Sequence, residues 1–348
     1  MVRILVIRLR QMGDAILATS LLNTLRRSLP DAQIDFVLNE RIAPLFEGHP
    51  AISNIITMSP DELHSMRRYV ARVWRIVHQE HYDAIIDLRS TVNTQLFALF
   101  SLRTPVRVAR RKWYTLLASN HTVRRLPSDA MIDHDLAFAA PLGRFAPIQY
   151  DRQFTLHITE QEMQQYGDYL RAQGVDLQRP VLLANVTAKL ANKVWAEDKM
   201  VQVLTDFMTR HPDWQILFNY APGAEEQNAR CIYTRLGSPS QVLIDVQAHS
   251  SRELAALGHY VTCFFGNEGG ARHVVHAMGC PSLVICAPGN KKHVWIPQND
   301  VPAQGIAPSD FADERALSQM SRQQQYDLIN PQFVSDRLNG FIQEIGVE

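Results

Sequence analysis

One stretch of the sequence decides the fold: Gly266-Asn267-Glu268-Gly269-Gly270-Ala271-Arg272-His273. It follows the β-branched and aromatic run 260–265, which is typical of a buried strand. The apolar run 274–279 after it predicts a helix, and 281–285 predicts a second strand. The order of strand, glycine turn, helix and strand predicts an α/β protein with a parallel sheet.

The same stretch is a candidate ligand site. Gly269 and Gly270 allow the backbone to approach a ligand closely, and the helix that begins there directs its free N–H groups and its dipole toward the turn. Glu268 adds a hydrogen-bond acceptor and His273 adds a donor. These features predict a site for a nucleotide-linked ligand. A plain glycine turn of an α/β protein is the alternative, and this segment alone does not decide between the two.

Strand and helix patterns alternate on both sides of this stretch. Strands are predicted at 3–9, 33–38, 54–58, 83–88 and 106–109, and again at 181–186, 214–220, 241–245 and 260–265. Helices are predicted at 15–28, 61–79, 160–172, 197–210, 225–236 and 331–345. A segment rich in proline, glycine and aromatic residues, 141–151, indicates a linker. We therefore expect two doubly wound halves facing each other across a cleft, with ligands beyond the carboxyl ends of the strands.

Composition excludes several classes of protein. Apolar residues form 46% of 348 residues, enough for two cores, and Lys+Arg and Asp+Glu are balanced at 35 each, which gives no indication of nucleic-acid binding. The apolar N-terminal run is interrupted by arginines and predicts a strand, not a signal peptide, and no run has the length of a membrane span. The cysteines lack metal-binding spacing and suggest reduced thiols of a cytosolic protein: Cys231, Cys263, Cys280 and Cys286.

Charge is distributed unevenly along the chain. The segment 64–128 carries 12 lysines and arginines against 3 acids, a local charge of +9, so the remainder carries −9. This asymmetry suggests an anionic partner for the first half. Solvated arginines on helix faces are the alternative explanation for any single residue. The basic cluster includes the three consecutive positions Arg110, Arg111 and Lys112.

A second candidate site lies at the first turn, Arg10-Gln11-Met12-Gly13-Asp14. Asp14 stands where a helix begins, so it is either an N-cap or a carboxylate presented to a cleft, where it could act as a general base. The turn has one glycine and no Gly-x-Gly-x-x-Gly pattern, which disfavours a dinucleotide oxidoreductase.

A third candidate site follows the first strand of the second half, in the segment 185–195. Thr187 can donate a hydroxyl hydrogen bond to a phosphate, and Lys189 and Lys193 can supply positive charge. The segment is not a P-loop, because the glycines and the Gly-Lys-Ser/Thr ending are missing. Two solvated lysines in a loop are the alternative.

With these landmarks in order, the chain resembles a known family, the lipopolysaccharide heptosyltransferases, which use ADP-heptose in bacterial core assembly. Each matching segment is short, and their order and spacing carry the resemblance: Ile4-Leu5-Val6-Ile7-Arg8 with Met12-Gly13-Asp14, then Leu29 to Asp35, Lys193-Val194-Trp195, and Glu268-Gly269-Gly270-Ala271-Arg272-His273. The last segment stands where the family has Asp-Thr-Gly-x-x-His.

The resemblance implies a GT-B fold built from two Rossmann-like domains. It divides the chain into an acceptor-binding domain, 1–155, a nucleotide-sugar-binding domain, 156–330, and a terminal helix, 331–348, which packs back on the first domain. The implied reaction is an inverting glycosyl transfer from ADP-heptose or a related sugar to lipopolysaccharide core or a similar glycan, without metal or cofactor. The implied location is the cytoplasm, with a peripheral contact to the inner face of the cytoplasmic membrane left open.

The implied roles fall on residues already singled out. Asp14 would act as the base, and the donor with its phosphates would contact Thr187, Lys189, Lys193, Glu268, Gly269, Gly270 and His273. Glu225 or Glu226 would face the nucleoside, and Arg110, Arg111 and Lys112 would face a phosphorylated glycolipid acceptor. Glu268 and Gly269 replace the family's aspartate and threonine, which leaves the donor sugar open. A nucleotide-sugar-binding protein without catalysis is the alternative function.

Overall fold

The protein is described from a computed structural model that covers residues 1–125 and 130–346. It forms two compact units, Met1–His157 and Ile158–Glu348, which divide close to the boundary predicted at 155/156. The last residues of the basic segment, 126–128, and of the terminal segment, 347–348, lie outside the described residues. Among the described residues, no helix combines the length and the apolar character needed to cross a membrane.

The first unit contains a six-stranded parallel sheet in the order β3-β2-β1-β4-β5-β6. Its strands are β1 Arg3–Ile7, β2 Gln33–Asn39, β3 Asn54–Met58, β4 Ala84–Asp87, β5 Val106–Arg110 and β6 His121–Val123. The chain starts in the middle of the sheet and winds outward to both edges, which is the doubly wound topology expected from the alternating pattern. Ile4 pairs with Ile34 on one side and with Ala84 on the other, so β1 is buried between two neighbours.

Helices cover this sheet, and both predicted helices of the first half are divided in two. The α-helices are α1 Met12–Leu17, α2 Thr19–Ser28, α3 Pro60–His64, α4 Met66–Gln79, α5 Gln95–Leu99 and α6 Met131–Leu136. Ala18, with helical backbone angles, separates α1 from α2, and Ser65 adopts extended backbone angles between α3 and α4. Short 3₁₀ segments span Glu40–Phe46, Thr115–Leu117 and Ala137–Arg144.

The second unit contains a five-stranded parallel sheet in the order β11-β10-β9-β7-β8. Its strands are β7 Val181–Asn185, β8 Gln215–Phe218, β9 Cys263–Asn267, β10 Ser282–Ile285 and β11 Ala303–Ile306. Two strand predictions are wrong in detail. The segment 241–245 makes a single bridge, from Val242 to Ile216, because the chain turns there, and Tyr260 ends a helix before β9 begins.

The helices of the second unit match the pattern closely at several boundaries. They are α7 Glu160–Ala172, α8 Glu197–Arg210, α9 Ala224–Arg235, α10 Ser251–Tyr260, α11 Gly270–Ala277, α12 Lys292–Trp295, α13 Glu314–Ser318, α14 Arg322–Asp327 and α15 Pro331–Glu344, with 3₁₀ turns at Ala191–Lys193 and Pro308–Asp310. Thr159 starts α7 with a capping box that includes Glu162.

The terminal helix α15 belongs to the second unit. It packs against α8, and its apolar face lies in the core of the second unit through Val334, Leu338, Phe341 and Ile342. Asn339 also donates a hydrogen bond to Asp206 of α8. The amphipathic face of this helix is therefore buried within the second unit, and its expected packing on the first domain stays a prediction.

Candidate active site

Asp14 is not the N-cap of its helix. The N-cap position of α1 is Gln11, whose side chain makes no capping hydrogen bond, and Asp14 lies in the first turn with only 8% of its surface exposed. The capping interpretation of Asp14 is therefore wrong. The burial of its charged carboxylate therefore requires compensation by other groups.

Those groups form a charge cluster in the first unit, buried at Arg8, Asp14 and Asp135 and partly exposed at Arg10. Arg8 Nη2 lies 3.0 Å from Asp135 Oδ2 and 3.6 Å from Asp14 Oδ1, and Arg10 Nε lies 3.4 Å from Asp14 Oδ2. Arg8 also donates to the main-chain oxygens of Asp14 and Leu88, at 3.1 Å each. Two guanidinium groups thus balance two carboxylates, and Arg8 ties the first turn to β4 and α6.

Asp14 has the free capacity that a proton acceptor needs. Among the described residues, its Oδ1 accepts no hydrogen bond, although it is shielded from solvent. Burial lowers the pKa of Arg10, against the opposing effect of Asp14, but its normal value of 12.5 leaves the guanidinium charged near neutral pH. A shielded carboxylate with an unused lone pair can take a proton from a bound hydroxyl group.

Sequence reasoning did not assign Arg8 and Asp135 to this site. Arg8 carried a weak signal, since a charged residue directly after a buried apolar strand requires a partner. Asp135 carried none, because it stands in α6, 127 positions from Arg8, next to His134. Only the fold of the first unit brings the two side chains together.

In the second unit, two buried asparagines connect the segments that carry the candidate donor site. β7 and β9 are parallel neighbours, so their carboxyl ends meet at one edge of the sheet. Asn185 donates to the Asn267 carbonyl at 2.8 Å, and Asn267 donates to the Val186 carbonyl and accepts from the Trp195 main-chain N–H. The turn after β9 and the loop 186–195 are therefore held side by side.

Gly266 makes this close approach possible. Its φ of +127° lies in a region that favours glycine, and a Cβ placed on it would stand 2.4 Å from the Asn185 carbonyl oxygen. Gly269, by contrast, is extended, and it forms the N-cap of α11, which begins at Gly270. The glycine required by the backbone is thus Gly266, while Gly269 and Gly270 leave the helix start free of bulky side chains.

Lys193 and Glu268 form the central ion pair of this site. Lys193 Nζ lies 2.8 Å from Glu268 Oε1, and the Glu268 carboxylate also accepts hydrogen bonds from Asn290 and from the Ala287 main-chain N–H. The pair joins residues that are 75 positions apart in the chain. Sequence reasoning placed both residues in the site but did not predict their pairing, and it did not identify Asn290.

The two acids proposed to bind the nucleoside, Glu225 and Glu226, have different hydrogen-bond partners. Thr187 donates a hydrogen bond of 3.2 Å to Glu225 Oε2, which places Glu225 beside the loop after β7. Glu226 pairs instead with Arg230 on its own helix, at 3.1 Å. Lys189 is exposed in the same loop, and no contact joins it to the Lys193–Glu268 pair among the described residues.

His273 and Arg272 lie in the first turn of α11 and are both buried. Burial, reinforced by Arg272, His276 and Lys193, lowers the pKa of His273 well below its normal value, so its ring is neutral near pH 7. Sequence reasoning singled out His273 and not Arg272.

The three basic acceptor candidates have different surroundings. Arg111 is exposed, Arg110 is half-buried, and the Lys112 ammonium donates to the Ser90 carbonyl at 2.6 Å. Lys112 also lies 5.4 Å from the centre of the Tyr114 ring. Arg111 is therefore the most accessible of the three to a ligand, whereas the Lys112 ammonium is already hydrogen-bonded to the Ser90 carbonyl.

The first doubly wound parallel unit holds the shielded carboxylate of Asp14, and the second holds a glycine turn whose Glu268 pairs with Lys193. Two such units define a protein of the GT-B class. Solved structures of the same fold include the glycosyl transferase family 9 protein from Veillonella parvula, at a TM-score of 0.83 and 18% identity over 98% of this chain and 97% of that one. The Escherichia coli heptosyltransferase WaaC with ADP has a TM-score of 0.72 and 15% identity, over 97% and 99%.

The chain belongs to glycosyltransferase family 9 (heptosyltransferase), whose family model matches residues 70–303. It is 24% identical over 306 residues to lipopolysaccharide heptosyltransferase 3 of Escherichia coli strain K12, covering 83% of each chain. The predicted class of enzyme, a family 9 glycosyltransferase of GT-B fold, is thereby confirmed, and the oxidoreductase alternative is excluded.

Proposed function

We propose that this protein transfers a heptose from ADP-heptose to a phosphorylated lipopolysaccharide core acceptor, with inversion at the anomeric carbon and without a metal ion. The observation that supports the donor assignment most strongly is that the loop after β7 contacts two acids: Thr187 bonds to Glu225, and Lys193 bonds to Glu268 in the turn before α11. The direct test is heptosyl transfer by the purified chain from ADP-heptose to a lipopolysaccharide core acceptor. Saturable ADP-heptose binding without turnover would instead support a binding protein.

In this reaction, Asp14 takes the proton from the acceptor hydroxyl as that oxygen attacks the anomeric carbon. The bond between the anomeric carbon and the diphosphate oxygen breaks, and the leaving ADP takes the electron pair. Lys193, the Thr187 hydroxyl and the N–H groups of Gly269 and Gly270 stabilise the charge that develops there, because fixed donors act strongly in a shielded site.

The remaining donor contacts follow from the partners in the second unit. Glu225 accepts hydrogen bonds from ribose hydroxyls, since it stands beside Thr187 and forms no ion pair with an arginine of the described residues. Glu268 positions Lys193 and offers its other lone pairs to sugar hydroxyls. Lys189, exposed in the same loop, contributes long-range attraction for the diphosphate.

The second unit alone is expected to bind ADP. A fragment of residues 158–348 contains every donor residue named above, together with α15, whose apolar face completes its core. ADP at one hundred times its Kd should stabilise the fragment by about 2.7 kcal/mol, and added salt should weaken binding. Calorimetry on this fragment and on residues 1–157 checks the assignment. Binding by the intact chain but not by a folded 158–348 fragment would contradict it.

The acceptor surface is proposed to lie on the first unit, in the basic segment. Next to Arg111 and Lys112, the side chains of Trp113, Leu116 and Leu117 are 80%, 56% and 76% exposed. Basic side chains beside exposed tryptophan and leucine suit an anionic membrane surface, where each lysine or arginine contributes about 1 kcal/mol. This surface would bring the enzyme to a glycolipid acceptor at the inner face of the cytoplasmic membrane.

Charge reversal at Arg110 and Arg111 is expected to weaken acceptor use and to leave ADP affinity and melting temperature unchanged. The guanidinium groups suit bidentate phosphate contacts, and neither makes a side-chain ion pair with another described residue. Lys112→Glu should instead lower the melting temperature, because Lys112 holds the Ser90 carbonyl. Steady-state kinetics with varied acceptor, and thermal unfolding, separate the two effects.

Arg337→Glu is the matched control, since Arg337 is exposed on α15, outside the basic segment. The acceptor surface is assigned wrongly if Arg111→Glu and Arg337→Glu have the same acceptor KM.

A further inference from the structure

Arg272 is a buried cation without a counter-ion. Only 3% of its surface is exposed, and no carboxylate of the described residues lies within ion-pair distance of its guanidinium group. Its Nη2 donates to the Trp295 carbonyl at 2.8 Å and lies 3.3 Å from His273 Nε2, while its Nη1 has no hydrogen-bond partner in the described chain. Burial lowers its pKa to about 10, so it remains charged near neutral pH.

The position of this charge is unfavourable for the protein alone. Arg272 lies in the first turn of α11, where the helix dipole already carries partial positive charge, and Lys193 is near enough to lower the pKa of the neighbouring His273. Glu268, the carboxylate whose charge raises the pKa of Arg272, is held by Lys193. An uncompensated buried charge destabilises the folded protein, and a function at this site would explain why it is retained.

The contact with His273 determines which ring nitrogen carries the proton. A guanidinium group has only donors, so His273 Nε2 must accept the hydrogen bond from Arg272. The ring is neutral, because burial first, and then Arg272, His276 and Lys193, lower its pKa. The single proton therefore lies on Nδ1, which is buried and has no partner in the described chain.

We propose that Arg272 is a positioning residue that holds His273 in the Nδ1–H form, so that His273 donates a hydrogen bond to the diphosphate of the donor. This inference rests on the proposed function for the identity of the ligand. Gly270 and Ala271 carry no polar side chain. His273 and Arg272 are therefore the side chains of this first turn that can donate a hydrogen bond to an anion. The bound diphosphate also supplies the negative charge that Arg272 lacks in the free protein.

The tautomer can be measured in the full-length protein without ligand. Nitrogen-15 spectra of histidine-labelled protein should show a protonated Nδ1 and an unprotonated Nε2 for His273. Arg272→Met should abolish this preference, because the donor to Nε2 is removed. Arg179→Met is the matched control, since Arg179 is an exposed arginine of the same unit that contacts only carbonyl groups at 212–213. A proton on Nε2 in the wild-type protein overturns the proposal, whether or not Arg272→Met folds.

Two substitutions of His273 then test its contact with the ligand. The amide of asparagine occupies the position of Nδ1, and that of glutamine the position of Nε2. His273→Asn should therefore retain ADP affinity better than His273→Gln, whose loss should be about ten- to a hundredfold, the range for a hydrogen bond to a charged group. Equal losses, or a larger loss in His273→Asn, overturn donation from Nδ1.

Failure of the proposed function would appear differently. If the wild-type protein binds neither ADP nor ADP-heptose, the donor assignment fails, and with it the contact to diphosphate. The nitrogen-15 spectra need no ligand, so they still decide whether Arg272 sets the state of His273. Normal ADP binding together with an Nε2-protonated ring would reject the inference and leave the proposed function intact.

Discussion

Asp14→Asn is expected to reduce heptosyl transfer by about 10²- to 10⁴-fold, the contribution typical of a general base, while ADP affinity changes by a few-fold at most. The amide cannot take a proton from the acceptor hydroxyl, whereas the donor residues are all in the second unit. Turnover at saturating acceptor and ADP binding by calorimetry provide the two measurements. Substantial turnover in Asp14→Asn would remove Asp14 from the chemistry.

The same substitution also has a structural cost, which must be separated from catalysis. Asparagine leaves Arg8 and Arg10 with Asp135 as the remaining carboxylate of the cluster, so the free energy of unfolding should fall by about 1–3 kcal/mol. Asparagine gains nothing as a cap here, because Gln11 holds the N-cap position.

Asp135→Asn is the matched control for this cost. Asp135 is fully buried and lies closer to Arg8 than Asp14 does, so its loss should destabilise the first unit more. At a temperature where both variants are folded, Asp135→Asn should retain more transfer activity than Asp14→Asn. Equal losses would show that the intact cluster, and not a proton acceptor at Asp14, supports turnover.

Lys193→Met is expected to lower kcat by about 10²- to 10³-fold, the effect of removing one preorganised donor from a developing anion. Lys193 is held at the turn after β9 by its ion pair with Glu268, and Asn290 fixes the Glu268 carboxylate by a further hydrogen bond. Lys189→Met, the same change of charge in the same loop, should have a much smaller effect because Lys189 is exposed. Similar losses in both variants would mean that only the overall charge of the loop matters.

Loss of Lys193 also leaves Glu268 without its cation, which could lower activity through the structure. The double variant Lys193→Met/Glu268→Gln removes both charges, and it should recover the melting temperature of the wild-type protein without recovering turnover. Recovery of turnover in the double variant would assign the defect of Lys193→Met to the stranded carboxylate. Thermal unfolding and single-turnover kinetics make this comparison.

Elements with a strong local pattern could be predicted from the sequence almost to the residue. The helices at 160–172 and 197–210 have amphipathic periodicity and polar first turns, and both begin and end as predicted. The segment 241–245 has the composition of a strand, but the chain turns after one bridge to β8. Strand propensity shows that side chains suit a sheet surface. It does not show whether a neighbouring strand is available for the segment to pair with along its length.

The candidate site likewise has residues that the sequence could predict and contacts that it could not. Thr187 directly follows a predicted strand, and Asp14 and His273 directly precede predicted helices. Lys193 and Glu268 lie in the segments between a predicted strand and the next helix. Such positions can be read from one sequence because strand ends and helix starts are local features. The choice between Glu225 and Glu226 could not be made, since both are acids in one helical turn. Contact with Thr187 separates them, 38 positions away.

Local sequence thus settled the alternation of strands and helices, the two doubly wound halves and the turns that carry polar side chains, because these depend on periodicity and on residues adjacent in the chain. Tertiary structure alone decided the partners: Arg8 with Asp135, Lys193 with Glu268, Arg272 with no carboxylate among residues 1–125 and 130–346, and α15 with α8. A charged side chain specifies that it needs compensation when buried, but not which distant residue provides it. That choice is made by the packing of the whole unit.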